Sequence, residues 1–319
     1  MRLRCGFWLF LLLSCWLNVA AQSTAPSFTV VPLGVKGGLA ENNLSAYLVA
    51  PAGSTRYVCL DAGTVYSGVE KAVANKVFAA PAGDVVRINI KAYLISHAHL
   101  DHVAGLLLNA PDDTPKSIYG LENCLTTIQN DYFNWQAWPN FGNGGNPPAL
   151  GKYHLRTLVP QQEAAIENTP LWVQAFPLSH GKPYQSAAFL VRHQNSYLLY
   201  LGDTGADAVE QSHNLYAVWQ AVQPLVKARQ LKAIFIEASY PNEQPEKQLF
   251  GHLTPTWLMT EMQALSQLTG PAALRGLPVV VTHIKPTPGN EATIKKQLQE
   301  ANKLQLKLVF PEQGQPLKF

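Results

Sequence analysis

"YLISHAHLDHVAGLLLNAP", Tyr93 to Pro111, sets three of the chain's nine histidines and an aspartate within six positions, directly after an apolar run. The run reads as a buried strand and Val103 to Asn109 as a helix, so His97, His99, Asp101 and His102 stand where a strand ends and the chain turns. Polar groups this dense beside an apolar strand need a purpose. Imidazole and carboxylate together suit a borderline divalent ion such as zinc.

The same arrangement recurs downstream. After "VQAFPLS" comes His180, after "LLYLG" Asp203, after "IFI" Glu237 and after "VVVT" His283. Five strands thus each deliver an imidazole or a carboxylate as the apolar run ends, which places these groups on one rim of a sheet, where open α/β sheets hold ligands. The HxHxDH spacing supports two ions rather than one. His97 and His99 converge on one, Asp101 and His102 face a second, His180 and His283 add one ligand apiece, and Asp203 can bridge through its two oxygens. Ions about 3.5 to 4 Å apart can hold a hydroxide at neutral pH and stabilise an in-line displacement, which is hydrolytic chemistry. For His154, His193 and His213 a surface or satisfied core histidine is the better reading.

The rest of the chain is a mixed, layered α/β pattern without internal repeats. Strands are expected in "LSAYLVA", "TRYVCLDAG", "KAYLIS", "LWVQAF", "AAFLVRH", "SYLLYLG", "LKAIFIEAS" and "LPVVVTH". Several are continuous apolar runs, as in strands covered on both faces. A helix is expected from Pro255 to Leu268, with Thr254 as N-cap, Pro255 in its first turn, Leu258, Met262, Leu265 and Leu268 on one stripe, and Gly270 past its end. The segment Asp131 to Tyr153 is rich in aromatic, Gly, Asn and Pro residues and reads as a long surface loop. Its Tyr132, Phe133, Trp135, Trp138 and Phe141 either stack on a ligand or anchor the loop, and anchoring is the better reading for most of them.

With 319 residues, 47% hydrophobic and 14% charged, the chain can bury a sizeable core. One domain is expected over residues 22–319. The opening "MRLRCGFWLFLLLSCWLNVAAQS" has Arg2 and Arg4, an apolar run and the small residues Ala20 and Ala21, the layout of a secretory signal peptide over residues 1–21. Its apolar run is too short for a good membrane span. A lipoprotein box in "LLSC", with Cys15 lipidated, is the alternative, although Leu13 is bulkier than that box usually has. Export to the periplasm or beyond is expected. Without residues 1–21 the balance is 22 basic against 21 acidic residues, or +1, which offers nothing to a polyanion. Cys59 and Cys124 then form one disulfide in an oxidising compartment or stay as buried thiols.

"SHAHLDHVAGL", "PLSHG", "YLGDTG" and "VVVTHIKP", in that order, resemble the metal motifs of the metallo-β-lactamase fold, an αβ/βα four-layer sandwich with a dinuclear site on one edge. "GGLAENNLSAYLV" and "IEASYPNE…LFGHLTP" narrow the resemblance to the class II 3′,5′-cyclic nucleotide phosphodiesterases, across about Val30 to Lys285. One departure is Asn109-Ala110 after "GLLL", where that family usually carries Ser before Ala or Pro. The resemblance implies that His97, His99 and His180 hold one metal, that Asp101, His102 and His283 hold the other, and that Asp203 bridges. It makes Asp61 an orienting residue behind a ligand, and sets Glu237 and His252 beside the phosphate, catalytic together with Asp101. It implies two divalent ions, zinc foremost, and a small cyclic nucleotide as substrate, cyclic AMP or cyclic GMP.

Hydrolysis of another phosphodiester, a lactone or an ester is the alternative on the same scaffold. A tRNA-processing nuclease would need a basic RNA-binding surface, which the +1 balance does not provide. A non-catalytic relative would be expected to lose ligands, and none is missing. The sequence is compatible with a homodimer and does not require one.

Overall fold

Side-chain alternation writes the layers of this molecule. In the strand Ala46–Pro51, Ala46, Leu48 and Ala50 enter one hydrophobic core while Tyr47 and Val49 enter another. That is the period of two of a strand covered on both faces. The computed structural model describes residues 25–319; the expected signal segment and Cys15 lie outside the described residues.

Among the described residues fourteen strands form two seven-stranded sheets. The first holds β1 (Phe28–Gly34), β2 (Ala46–Pro51), β3 (Tyr57–Leu60), β4 (Ile90–Leu94), β5 (Lys116–Gly120) and β6 (Tyr153–Thr157). The second holds β7 (Glu163–Ala165), β8 (Trp172–Ser179), β9 (Gln185–His193), β10 (Ser196–Leu201), β11 (Leu231–Glu237), β12 (Pro278–Thr282) and β13 (Lys307–Val309). β14 (Leu317–Lys318) returns to the first sheet, giving the orders β14-β1-β2-β3-β4-β5-β6 and β13-β12-β11-β10-β9-β8-β7. β3 through β6 are parallel to one another, as are β10 through β13.

Three cores separate four layers. Val69, Val103 and Leu106, from helices Tyr66–Ala74 and Leu100–Asn109, pack on Leu33, Leu48 and Tyr93 of the first sheet. Val30, Tyr47 and Val49 meet Val173, Phe189 and Phe235 between the sheets. Trp219, Met262 and Leu298, from helices Asn214–Lys227, Pro255–Thr269 and Asn290–Ala301, cover Leu199, Ile236 and Val279 of the second sheet. This is the expected αβ/βα sandwich. Among the described residues no helix is long and apolar enough to cross a membrane.

The eight expected strands are present. Those that went unread are β1, whose Pro32 sits at a register shift against β2, and short strands of two to five residues. Helix Pro255–Thr269 is capped as expected, the Thr254 hydroxyl accepting from the Trp257 N–H at 3.4 Å. The helix expected at Val103 starts earlier, at Leu100, because His99 is extended and serves as its N-cap. Asp101 and His102 are therefore in the first helical turn, where a carboxylate favours the positive end of the helix dipole.

Cys59 and Cys124 are both free and buried, and burial pushes both thiols up. The thiol reading holds over the disulfide. The expected loop Asp131 to Tyr153 is shorter than its sequence suggested. Ile128–Tyr132 continues helix Glu122–Thr127 as a π-turn, and Tyr153 already belongs to β6. Phe133 and Phe141 are buried in the first core with Tyr132 and Trp138 packed against it, so anchoring is the role of these four.

Candidate metal centre

The carboxyl ends of β4, β8, β10, β11 and β12 open on one edge of the sandwich, and the six histidines singled out by sequence meet there with four carboxylates. His154 and His213 are exposed and His193 half-buried, and none of the three joins the cluster.

His97, His99 and His180 form the first set. His97 Nε2 lies 3.1 Å and His180 Nε2 3.3 Å from His99 Nδ1. The remaining nitrogens of two of these rings are committed. His97 Nδ1 donates to the Ser96 hydroxyl at 3.0 Å, and His180 Nδ1 donates to the Gly251 carbonyl at 2.9 Å. Two lone pairs are thereby aimed at one nitrogen, and a single proton cannot serve both. A tetrahedral ion with metal–nitrogen bonds of about 2.0 to 2.1 Å spaces its ligands by about 3.3 Å, which fits. Burial, then the charges of His102 and His180, keeps His97 well below its ordinary pKa; burial and then His180 bring His99 down to about 4. Both rings are ready to ligate at neutral pH.

Asp101, His102, Asp203 and His283 form the second set. His283 Nε2 lies 3.2 Å from Asp101 Oδ2 and 3.2 Å from Asp203 Oδ2. His102 Nε2 is buried without a hydrogen-bond partner, although Asp203 Oδ1 stands 3.3 Å away. An orphaned nitrogen facing a carboxylate fits a cation between them. Burial opposes charge on His102, but Asp203 and then Asp61 outweigh it and raise its pKa well above the usual value; a divalent ion would displace that proton. Asp203 also lies 3.8 Å from His97 Nε2 and 3.7 Å from His180 Nε2, between the two sets.

A carboxylate and a serine stand behind each side. Asp61 is fully buried and accepts four hydrogen bonds: from the Ser96 N–H at 2.7 Å, the Ser96 hydroxyl at 2.8 Å, the Tyr200 hydroxyl at 2.6 Å and His102 Nδ1 at 2.8 Å. It thus orients His102 directly and His97 through Ser96, and fixes which ring nitrogen faces the site. Glu237, also buried, accepts from the Thr204 N–H at 2.9 Å, the Leu253 N–H at 3.2 Å, the Ser239 hydroxyl and His252 Nδ1 at 2.9 Å. Ser239 in turn receives His283 Nδ1 at 2.9 Å.

Burial works against charge on His252, and Glu237, by charge and hydrogen bond, overcomes it and raises the imidazole's pKa. Burial alone would raise Glu237; His252 reverses that and lowers it. Gly37 backs His283 so closely that a Cβ there would lie 2.2 Å from its Cε1, and the next N–H, of Gly38, donates to Asp101 Oδ2 at 3.0 Å.

Every site residue singled out by sequence is in this cluster. Ser96, Ser239, Tyr200 and Gly37 were missed. The two serines carried a faint signal, since each ends a strand and Ser96 directly precedes a ligand. Tyr200 and Gly37 carried none, because a strand tyrosine and a loop glycine are commonplace. A cavity of about 840 Å³ is lined by Leu121, Glu122, Thr157, Pro177 and Gln185. It contains none of the donor set, so the chemistry belongs to the histidine cluster.

The sequence profile of the class-II cAMP phosphodiesterases matches residues 80–314. A protein of Aliivibrio fischeri described as a 3′,5′-cyclic-nucleotide phosphodiesterase is 40% identical over 325 residues, covering 98% of each chain. Among solved structures, unliganded yeast PDE1 superposes with a TM-score of 0.82 at 24% identity, over 92% of this chain and 100% of that one. The metallo-β-lactamase fold protein YhfI of Bacillus subtilis superposes with a TM-score of 0.61 at 15% identity, over 92% and 100%. These likenesses establish a metallo-β-lactamase fold.

Proposed function

The chain belongs to the class II cyclic AMP phosphodiesterases, a family of hydrolases, and from that premise we propose that it opens the 3′,5′-cyclic diester of cyclic AMP to the 5′-nucleotide at a dinuclear metal site. The observation that carries the reading is the pair of facing ligand sets with Asp203 between them. His97, His99 and His180 would hold one ion, Asp101, His102 and His283 the other, with Asp203 shared. Two such ions, zinc foremost given the imidazole-rich donors, lower the pKa of water and neutralise charge on phosphoryl oxygens.

The chain's own residues supply the rest. Ring opening forms a bond from a water-derived oxygen to phosphorus and breaks the bond from phosphorus to the ribose 3′-oxygen, which leaves as a strong base unless it receives a proton. His252 is the donor. Its Nδ1 is tied to Glu237, which favours the protonated ring and leaves Nε2 to give its proton to the departing oxygen. Asp101, tied to His283 and the Gly38 N–H, fixes the outer wall of the second set.

The opening segment supports export: cleavage after Ala21 would send the mature domain to the periplasm or beyond, and the mass of the mature protein reads this out. The catalytic reading is tested by assaying purified protein against cyclic AMP, cyclic GMP, a generic phosphodiester and a lactone, with and without chelator. Chelator-sensitive turnover of cyclic AMP above the others is expected. Preference for the lactone or the simple diester would overturn it.

A further inference from the structure

A cyclic nucleotide bound at the metal edge leaves its base to be received by something beyond the ligands. Most large apolar side chains of this protein are buried, yet four stand exposed on segments that border the cluster: Leu39 (90%), Leu100 (62%), Tyr184 (61%) and Phe250 (67%). Two of them are aromatic and border the first ligand set. The Tyr184 ring meets His99 edge to face, centroids 4.8 Å apart at 70°. Phe250 directly precedes Gly251, whose carbonyl holds His180 Nδ1.

Neither packing nor backbone preference accounts for Phe250. It sits at φ 51°, a conformation that is an outlier for a bulky side chain, while its ring lies in solvent. Strain of this kind persists only where surrounding structure enforces it, and it concentrates at ligand sites. The enforcing contact is visible. Gly251 (φ 77°) presses on the neighbouring loop so tightly that a Cβ would lie 2.3 Å from the Gly181 nitrogen. The loop beginning at Gly181 closes a turn through the Tyr184 N–H onto the Gly181 carbonyl at 3.0 Å, which brings Tyr184 round beside His99. Two loops packed backbone to backbone therefore each carry one exposed aromatic residue next to the first ligand set. Gln185, next along the chain from Tyr184, lines the cavity of about 840 Å³.

We propose that Tyr184 and Phe250 form the platform on which the substrate's purine stacks, and so set the enzyme's affinity for nucleotides over simple diesters. This rests on the functional reading above. A base offers a flat π-face, and truncating an aromatic partner costs roughly 5- to 150-fold in binding. The role falls to these two rings rather than to the aromatics of residues 131–153, most of which are core anchors.

The test compares Tyr184→Ala and Phe250→Ala with wild type on cyclic AMP and on ribose 3′,5′-cyclic phosphate, which lacks a base. Each variant should raise the KM for cyclic AMP about 5- to 150-fold and that for the baseless diester less than twofold. Tyr184→Phe and Phe250→Tyr should restore wild-type KM, which separates stacking from general disturbance of the loops. Unchanged KM for cyclic AMP, or equal rises on both substrates, overturns the platform while wild-type turnover leaves the functional reading intact. Wild-type protein inert toward cyclic AMP overturns both.

Discussion

The two sides of the metal edge solve the same problem with different materials. On one side Asp61 and Ser96 hold His102 and His97; on the other Glu237 and Ser239 hold His252 and His283. Each carboxylate is buried and takes four donors. The difference lies in what they orient. Asp61 serves two metal ligands, one from each set. Glu237 holds one candidate ligand indirectly and, directly, the His252 imidazole proposed as proton donor. On the proposed function the first hub would serve metal affinity and the second proton delivery, a division that mutation can separate.

The largest effect should come from the residue both sides share. Asp203→Ala should deplete both ions and lower turnover by several orders of magnitude, whereas His97→Ala should empty one position preferentially. Metal analysis of the purified variants checks this, and equal loss of a single ion in both would remove Asp203 from its shared place.

Next, His252→Ala should lower kcat on cyclic AMP about 10² to 10⁴-fold with metal content intact. The loss should shrink for a p-nitrophenyl diester, whose leaving group needs no proton. The sign of the pH dependence follows. As the proposed acid His252 would act protonated, and Glu237 raises its pKa against burial, so activity should persist above the ordinary imidazole range and fall as pH rises through the raised value. Glu237→Gln should move that basic limb to lower pH. A limb unmoved by either substitution would take His252 out of proton transfer.

Asp61→Ala should weaken metal binding about 10- to 100-fold at both positions. It should also destabilise the fold, since each buried donor left unpaired costs about 1 to 3 kcal/mol. Glu237→Gln, by contrast, should leave both ions bound. The smallest effect should come from the serines. Ser96→Ala should loosen the His97 position and Ser239→Ala the His283 position, each by about tenfold at the low end of what such supporting contacts are worth. Chelator competition would resolve the two.

That contrast also explains what could be read in advance. The first side was legible because His97, His99, Asp101 and His102 lie within six residues, and a cluster so dense has few structural excuses. The remaining cluster residues are scattered over strand ends from His180 to His283, and became readable only when one rim was assumed for all of them. Tyr200 stands 139 residues from the Asp61 it bonds, and no local pattern marks such a pair. Most strands buried on both faces announced themselves as apolar runs, whereas β1 with its internal proline, β5 with Lys116 and Ser117, and the short edge strands did not. The aromatics of residues 131–153 looked available for a ligand because composition says nothing about which way a ring points. Phe133 and Phe141 point into the core, while Tyr184 and Phe250 stand in solvent.

The most direct test of the account is the number of ions that activity requires. Protein stripped by chelator and titrated with zinc should regain full turnover of cyclic AMP only as the second equivalent per chain binds. Full activity at one equivalent would contradict a dinuclear site and the shared place of Asp203 within it.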